Sequence, residues 1–167
     1  MITPAYCQTM ARYNTWQNDQ MAEAMARLSP EALSQDRGAF FGSILGTANH
    51  LLWADAMWLS RLTDLPKPDV AVTDSPSMTP TLAAWQAERF RMDGRLRLWA
   101  EDLGALDLTG DLTWFSGSTG REERRPMSVI VMHIFNHQIH HRGQIHAMLT
   151  AAGEDPGATD LFLMPQA

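Results

Sequence analysis

The 167-residue chain is 45% hydrophobic and 19% charged, enough apolar material for one globular domain (1–167) and too much for a disordered chain. Its net charge of −6 argues against a nucleic-acid partner, which needs a basic patch to neutralise phosphates. No apolar run approaches the roughly 20 residues of a bilayer crossing, no basic-then-apolar leader is evident, and a single cysteine, Cys7, cannot close an internal disulfide. The expectation is a cytoplasmic protein without a membrane partner. Cys7 reads as a small apolar helix residue rather than a reactive thiol.

In chain order, Thr3-Pro4 gives a cap and a first-turn proline, and Tyr6, Met10, Tyr13, Met21, Ala24 and Leu28 continue as one inward stripe. Ser29-Pro30 starts at most two further turns before Gly38. A second long helix is expected from about Ser43 to Thr63, with Asp55 the one charged member of its inward face. Pro66, Pro68 and Pro76 break helix between Leu65 and Met78. Thr79-Pro80 restarts it, and Leu82, Trp85, Met92, Leu96, Trp99 and Leu103 form a stripe that Arg89 interrupts. Arg91 and Arg95, interleaved with Glu88 and Asp93, read as a solvated face. Residues 104–125 are the longest break, an ordered loop or short hairpin in which Arg121–Arg125 reads as a solvated turn. Pro126 fits the first turn of a last helix, which ends near Ala152 at Gly153. Four long amphipathic segments without a convincing sheet imply an all-α fold, a four-helix bundle. The linker of about 15 residues between the second and third long helices can span a bundle and leave those two parallel.

Five of the six histidines fall between His133 and His146. Residues four apart on a helix are neighbours, so two imidazoles can converge on one ion. His133, His137 and His141 form such a ladder, but each step rotates by roughly 40°, and a straight helix can hardly aim all three at one point. A third ligand must then come from elsewhere, and the only other histidine is His50, beside the inward stripe of the second long helix. His133 in place of His141, or no metal at all, remain alternatives. His140 and His146 point away from the 137/141 face, as surface residues or hydrogen-bond partners. Gln138 stands where the zinc proteases carry their general-base glutamate, which excludes that class. Gly143, costly inside a helix, suggests close backbone packing beside His141. Asp55 can orient an imidazole or cap an internal arginine, and Gln144 and Asn136 are candidate hydrogen-bond partners.

Gly46-Thr-Ala-Asn-His50-Leu-Leu-Trp-Ala-Asp55 and His137-Gln-Ile-His-His141-Arg-Gly-Gln-Ile145 resemble the two signature segments of DinB-like proteins. Tyr13-Asn-Thr-Trp16 and the ending Ala152-Gly-Glu-Asp-Pro156 with Asp160 extend the resemblance over nearly the whole chain. It implies an up-down-down-up bundle, often a homodimer, and a three-histidine nickel or zinc site matching His50, His137 and His141. Some relatives are thiol-dependent, among them bacillithiol S-transferases and a mycothiol-dependent maleylpyruvate isomerase.

Three neutral imidazoles with an open position suit a catalytic metal. The leading expectation is a metal-dependent enzyme acting on a small molecule. It would activate a low-molecular-weight thiol or water toward a small electrophile, as a thiol transferase or hydrolase does. The alternative is a non-catalytic metal-binding, stress-response bundle, since no Ser/His/Asp arrangement or phosphate loop is present.

Overall fold

Helix starts leave amide donors open, and hydroxyl side chains placed just ahead of each start close them. The computed structural model describes residues 2–166. It contains α1 (Pro4–Met25), a short α2 (Pro30–Ser34), α3 (Ile44–Leu62), α4 (Leu82–Asp102), a hairpin of β1 (Asp111–Ser116) and β2 (Arg121–Pro126), and α5 (Met127–Ala151). Thr3, Ser29, Ser43 and Thr81 accept from Tyr6, Ala32, Gly46 and Ala84 amides at the heads of the first four helices. The chain is mostly helical, as its periodicity requires. Among the described residues, no helix is long and apolar enough to cross a membrane.

Three local expectations need correction. The third long helix begins at Leu82 rather than at Pro80, because Thr79 is taken elsewhere. Its amide and hydroxyl both donate to Asn49 Oδ1, at 3.2 and 2.6 Å, leaving Thr81 to act as the cap. The proline-rich linker excludes α-helix as expected but holds one 3-10 segment, Val72–Ser77. Arg121–Arg125 is strand β2, not a turn, pairing antiparallel with β1 in the register Asp111↔Pro126, Trp114↔Glu123 and Ser116↔Arg121. Its run of charge concealed the strand: most of it faces solvent, while Arg124 and Arg121 bond Asp111 and Glu123, each at 2.8 Å.

Side-chain contacts fix how the long helices run. Tyr6 packs edge-on against Phe135 and Asn14 meets Arg142, so α1 and α5 run the same way. Trp85 Nε1 donates to Ala48 O and Arg89 to Asp55, so α3 and α4 also run together. His50 faces His141 while Trp58 faces His133, so α3 opposes α5. Asp93 against Asn14 and Asn18, with Arg97 and Glu101 near Ala5 and Gln8, sets α4 opposite to α1. Trp85, Phe135, Leu52 and Leu96 are buried in the shared core. Cys7, fully buried within it, has its thiol pushed up to about 11 by burial, so the apolar reading holds over the reactive one.

One glycine is required by space. A Cβ on Gly46 would stand 2.6 Å from Phe41 O and 3.0 Å from Ser43 Oγ. A backbone carbonyl cannot swing aside as a flexible side chain does. Gly46→Ala is expected to cost about 1–3 kcal/mol, which for a chain of this size lowers Tm by roughly 3–10 °C. A thermal melt superimposable on the wild-type curve would refute this.

Candidate metal centre

Packing α3 antiparallel to α5 brings the middle of one against two turns of the other. His50, His137 and His141 each offer a ring nitrogen, and these atoms lie within 4.8 Å of one another. His137 Nε2 and His141 Nε2 are 3.0 Å apart. His133 stays outside this group, packing on Trp58 with ring centroids 5.1 Å apart. His140 is exposed and His146 half-buried, neither within the cluster.

The hydrogen bonds around the rings decide which nitrogen is free. Ser75 Oγ donates to Val72 O at 2.7 Å, which uses its only hydrogen. At 2.9 Å from His50 Nδ1 it can therefore only accept, so the proton sits on Nδ1 and Nε2 carries a lone pair. Gln144 Oε1 stands 2.8 Å from His141 Nδ1 and fixes the same tautomer there. Ser75 is held over His50 by Asn49, whose side-chain amide donates to Pro76 O (2.9 Å) and Thr79 O (3.0 Å) and pins the linker to α3. Phe41 closes the other side of His50, stacked at 3.7 Å between ring centroids, and also touches the His141 ring.

Burial keeps all three rings neutral. It lowers His50 to about 4 and His137 to about 3, and neighbouring histidines push the same way. His141 is also lowered, chiefly by burial. Neutral imidazoles are the form that binds metals. Two nitrogens at about 2.0–2.1 Å from a common ion lie roughly 3 Å apart, so the donor set and the His137–His141 spacing fit a divalent cation. These three histidines can hold one. Among the described residues, no fourth His, Cys, Asp or Glu joins the group.

Asp55 caps an arginine rather than an imidazole. Arg89 Nη1 donates to its Oδ2 at 2.7 Å, and Gln138 Nε2 donates to its Oδ1 at 2.9 Å. Arg89 Nη2 also pairs with Asp93 at 2.8 Å, and Asn14 and Asn18 donate to Asp93. All six side chains are buried, tying α1, α3, α4 and α5 into one polar layer beside the histidines. Burial alone would lower Arg89, but the two carboxylates outweigh it and hold it above its ordinary value. Asn136 is exposed and makes no contact with the cluster, whereas Gln144 does. Gly143 does not mark close packing: a Cβ there would meet nothing within 4 Å. Ser75, Asn49 and Phe41 were not anticipated. The adjacency of Asn49 to His50 was the available hint for the first two, and nothing in the composition of 71–77 singles out Ser75.

Comparison with known proteins agrees with the residues. The DinB family matches over residues 1–167. Protein DinB of Bacillus subtilis (strain 168) is 26% identical over 156 residues, which is 90% of this chain and 88% of that protein. The crystal structure of a DinB-like protein from Bacillus cereus ATCC 10987 superposes with a TM-score of 0.53 at 21% identity, covering 86% of this chain and 91% of the other, and so shares the fold. On the match along its full length, the chain belongs to the DinB family.

Proposed function

We propose that His50, His137 and His141 hold one divalent ion, nickel or zinc, in an up-down-down-up four-helix bundle, and that the protein is an enzyme that activates a small thiol or water toward a small electrophile. The observation that carries this is the convergence of three neutral imidazoles, two with their Nε2 lone pairs fixed by Ser75 and Gln144. A divalent ion on such ligands supplies a Lewis acid that brings a bound water or thiol to its anionic form near neutral pH. The chain's own side chains do the rest. Ser75 and Gln144 orient the rings, and Phe41 shields His50 from water on its stacked side. Asp55 is committed to Arg89 and Gln138, so it is not a ligand, and three protein ligands leave the open position typical of catalytic sites. That open position favours the enzyme over the non-catalytic metal-binding bundle, which would close the ion with a fourth side chain.

Protein purified without a polyhistidine tag is expected to carry one divalent ion per chain by elemental analysis. His137→Ala should bring both the metal content and the thiol-dependent loss of monochlorobimane to background. Ser75→Ala should keep the ligands but weaken the metal by about 10- to 100-fold. Undiminished turnover by His137→Ala would end the enzymatic reading, and undiminished metal content would end the site itself.

A further inference from the structure

On the side of α5 that looks toward α1, away from the histidine cluster, lies a cavity of about 290 Å³. Its walls include Arg142, Gly143 and Ile139 of α5, Tyr13 and Met21 of α1, and Pro156 of the segment that follows α5. His141 and Arg142 are consecutive, and consecutive residues on a helix point about 100° apart. The first therefore faces α3 and the second α1.

The Arg142 side chain is buried, with the residue 7% exposed, and it makes no ion pair among the described residues. Both carboxylates of the polar layer are spent on Arg89, at 2.7 and 2.8 Å. Arg142 keeps one amide partner, Asn14 Oδ1, and the face of Tyr13 at 5.7 Å. A guanidinium has five N–H donors; burial lowers Arg142 to about 10, although Asp55 and Asp93 favour its charge without touching it. The Tyr13 hydroxyl does not relieve this, since it donates to Thr159 O at 2.6 Å and faces the tail. Gly143 adds a second observation. It gives up about 1 kcal/mol of helix propensity relative to alanine, yet no neighbour forces its small size. What its missing side chain provides is volume in this cavity.

We propose that the cavity binds a small organic monocarboxylate, its carboxylate on the free donors of Arg142 and its hydrocarbon body against Met21, Ile139 and Pro156. Arginine pairs with planar carboxylates through two parallel hydrogen bonds. The apolar wall selects an organic acid over inorganic phosphate, and the volume limits it to a molecule smaller than a typical drug. The site is separate from the metal centre and does not require it.

Hexanoate and its neutral isostere hexanamide are the probes, titrated calorimetrically into the full-length, zinc-loaded protein. Hexanoate is expected to bind at least about tenfold more tightly than hexanamide. Gly143→Leu, which fills the cavity without removing a contact, should cost hexanoate at least about tenfold while Tm and metal content hold. Arg142→Gln should reduce hexanoate to the level of hexanamide, and His137→Ala should leave hexanoate binding intact. Equal affinity for the two probes would overturn the proposal. So would full hexanoate affinity in Gly143→Leu, loss of binding in His137→Ala, which would make the metal the receptor, or displacement of hexanoate by millimolar phosphate.

Discussion

Arg89→Met is expected to destabilise the protein by on the order of 3–5 kcal/mol, because it leaves two buried carboxylates without their cation. Arg89 is 4% exposed in its side chain and bridges Asp55 on α3 to Asp93 on its own helix, so no water can replace it. Asp93 is already raised above the usual carboxylate range, chiefly by burial and against the pull of Arg89. Without the guanidinium, Asp93 has further reason to take up a proton. A raised folded-state carboxyl loses stability as pH increases, so the defect should be larger at about pH 8 than at about pH 5. Urea unfolding at the two pH values measures it. Asp93→Asn in the Arg89→Met background should recover part of the loss, since it removes one of the stranded charges. A variant as stable as wild type at pH 8 would show that the ion layer contributes nothing to the fold.

The metal-free protein is expected to lose stability steeply on mild acidification. An exposed imidazole titrates near 6.5, while burial holds His50 at about 4 and His137 at about 3. The sign follows from proton counting. Below about pH 6.5 the unfolded chain takes up protons that the folded chain refuses. The stability is therefore present above that value and drains away as the pH falls toward 4. After allowance for partial solvent screening, the loss between about pH 6.5 and pH 5 is on the order of 2 kcal/mol. His133 is also lowered, by burial and by Arg61, and adds to the same trend, whereas Arg89 and Arg142 stay charged throughout. The urea midpoint of metal-stripped protein should fall across this window, and the slope should flatten in His137→Phe. A midpoint independent of pH would contradict the neutral-imidazole description of the site.

Much of this was readable from residue order alone. The hydroxyl-proline pairs Thr3-Pro4 and Ser29-Pro30 marked helix starts within a residue or two, because capping is local chemistry. Helical spacing and the isolation of the sixth histidine pointed to His50 with a pair on the last helix. The DinB resemblance matched that pair to His137 and His141, and the structure clusters these three without His133. What escaped was long-range. Thr79 resembles a cap until Asn49, thirty residues earlier, claims it. β2 resembles a solvated turn because Arg121, Glu122, Arg124 and Arg125 keep their charge outside while Glu123 turns inward. Arg89 was visible as an interruption of an apolar stripe, but Asp55 lies on another helix, which no period in one segment reveals. Asp93, four residues on, reads as part of a solvated face although it is buried against Arg89. Gly143 suggests close packing from its helical cost alone, yet a Cβ there would meet only open space.

Residues 154–165 lie along α1. Glu154 and the Asp155 carbonyl hold Arg27, the Ala158 and Thr159 carbonyls receive Gln17 and Tyr13, and the Pro165 carbonyl receives Arg12. During synthesis the first helix leaves the ribosome more than a hundred residues before the segment that covers its flank. The partners of Arg12, Tyr13, Gln17 and Arg27 therefore arrive only when translation has passed all five α-helices and the hairpin. A nascent chain stalled before Glu154 should remain open to proteases along α1.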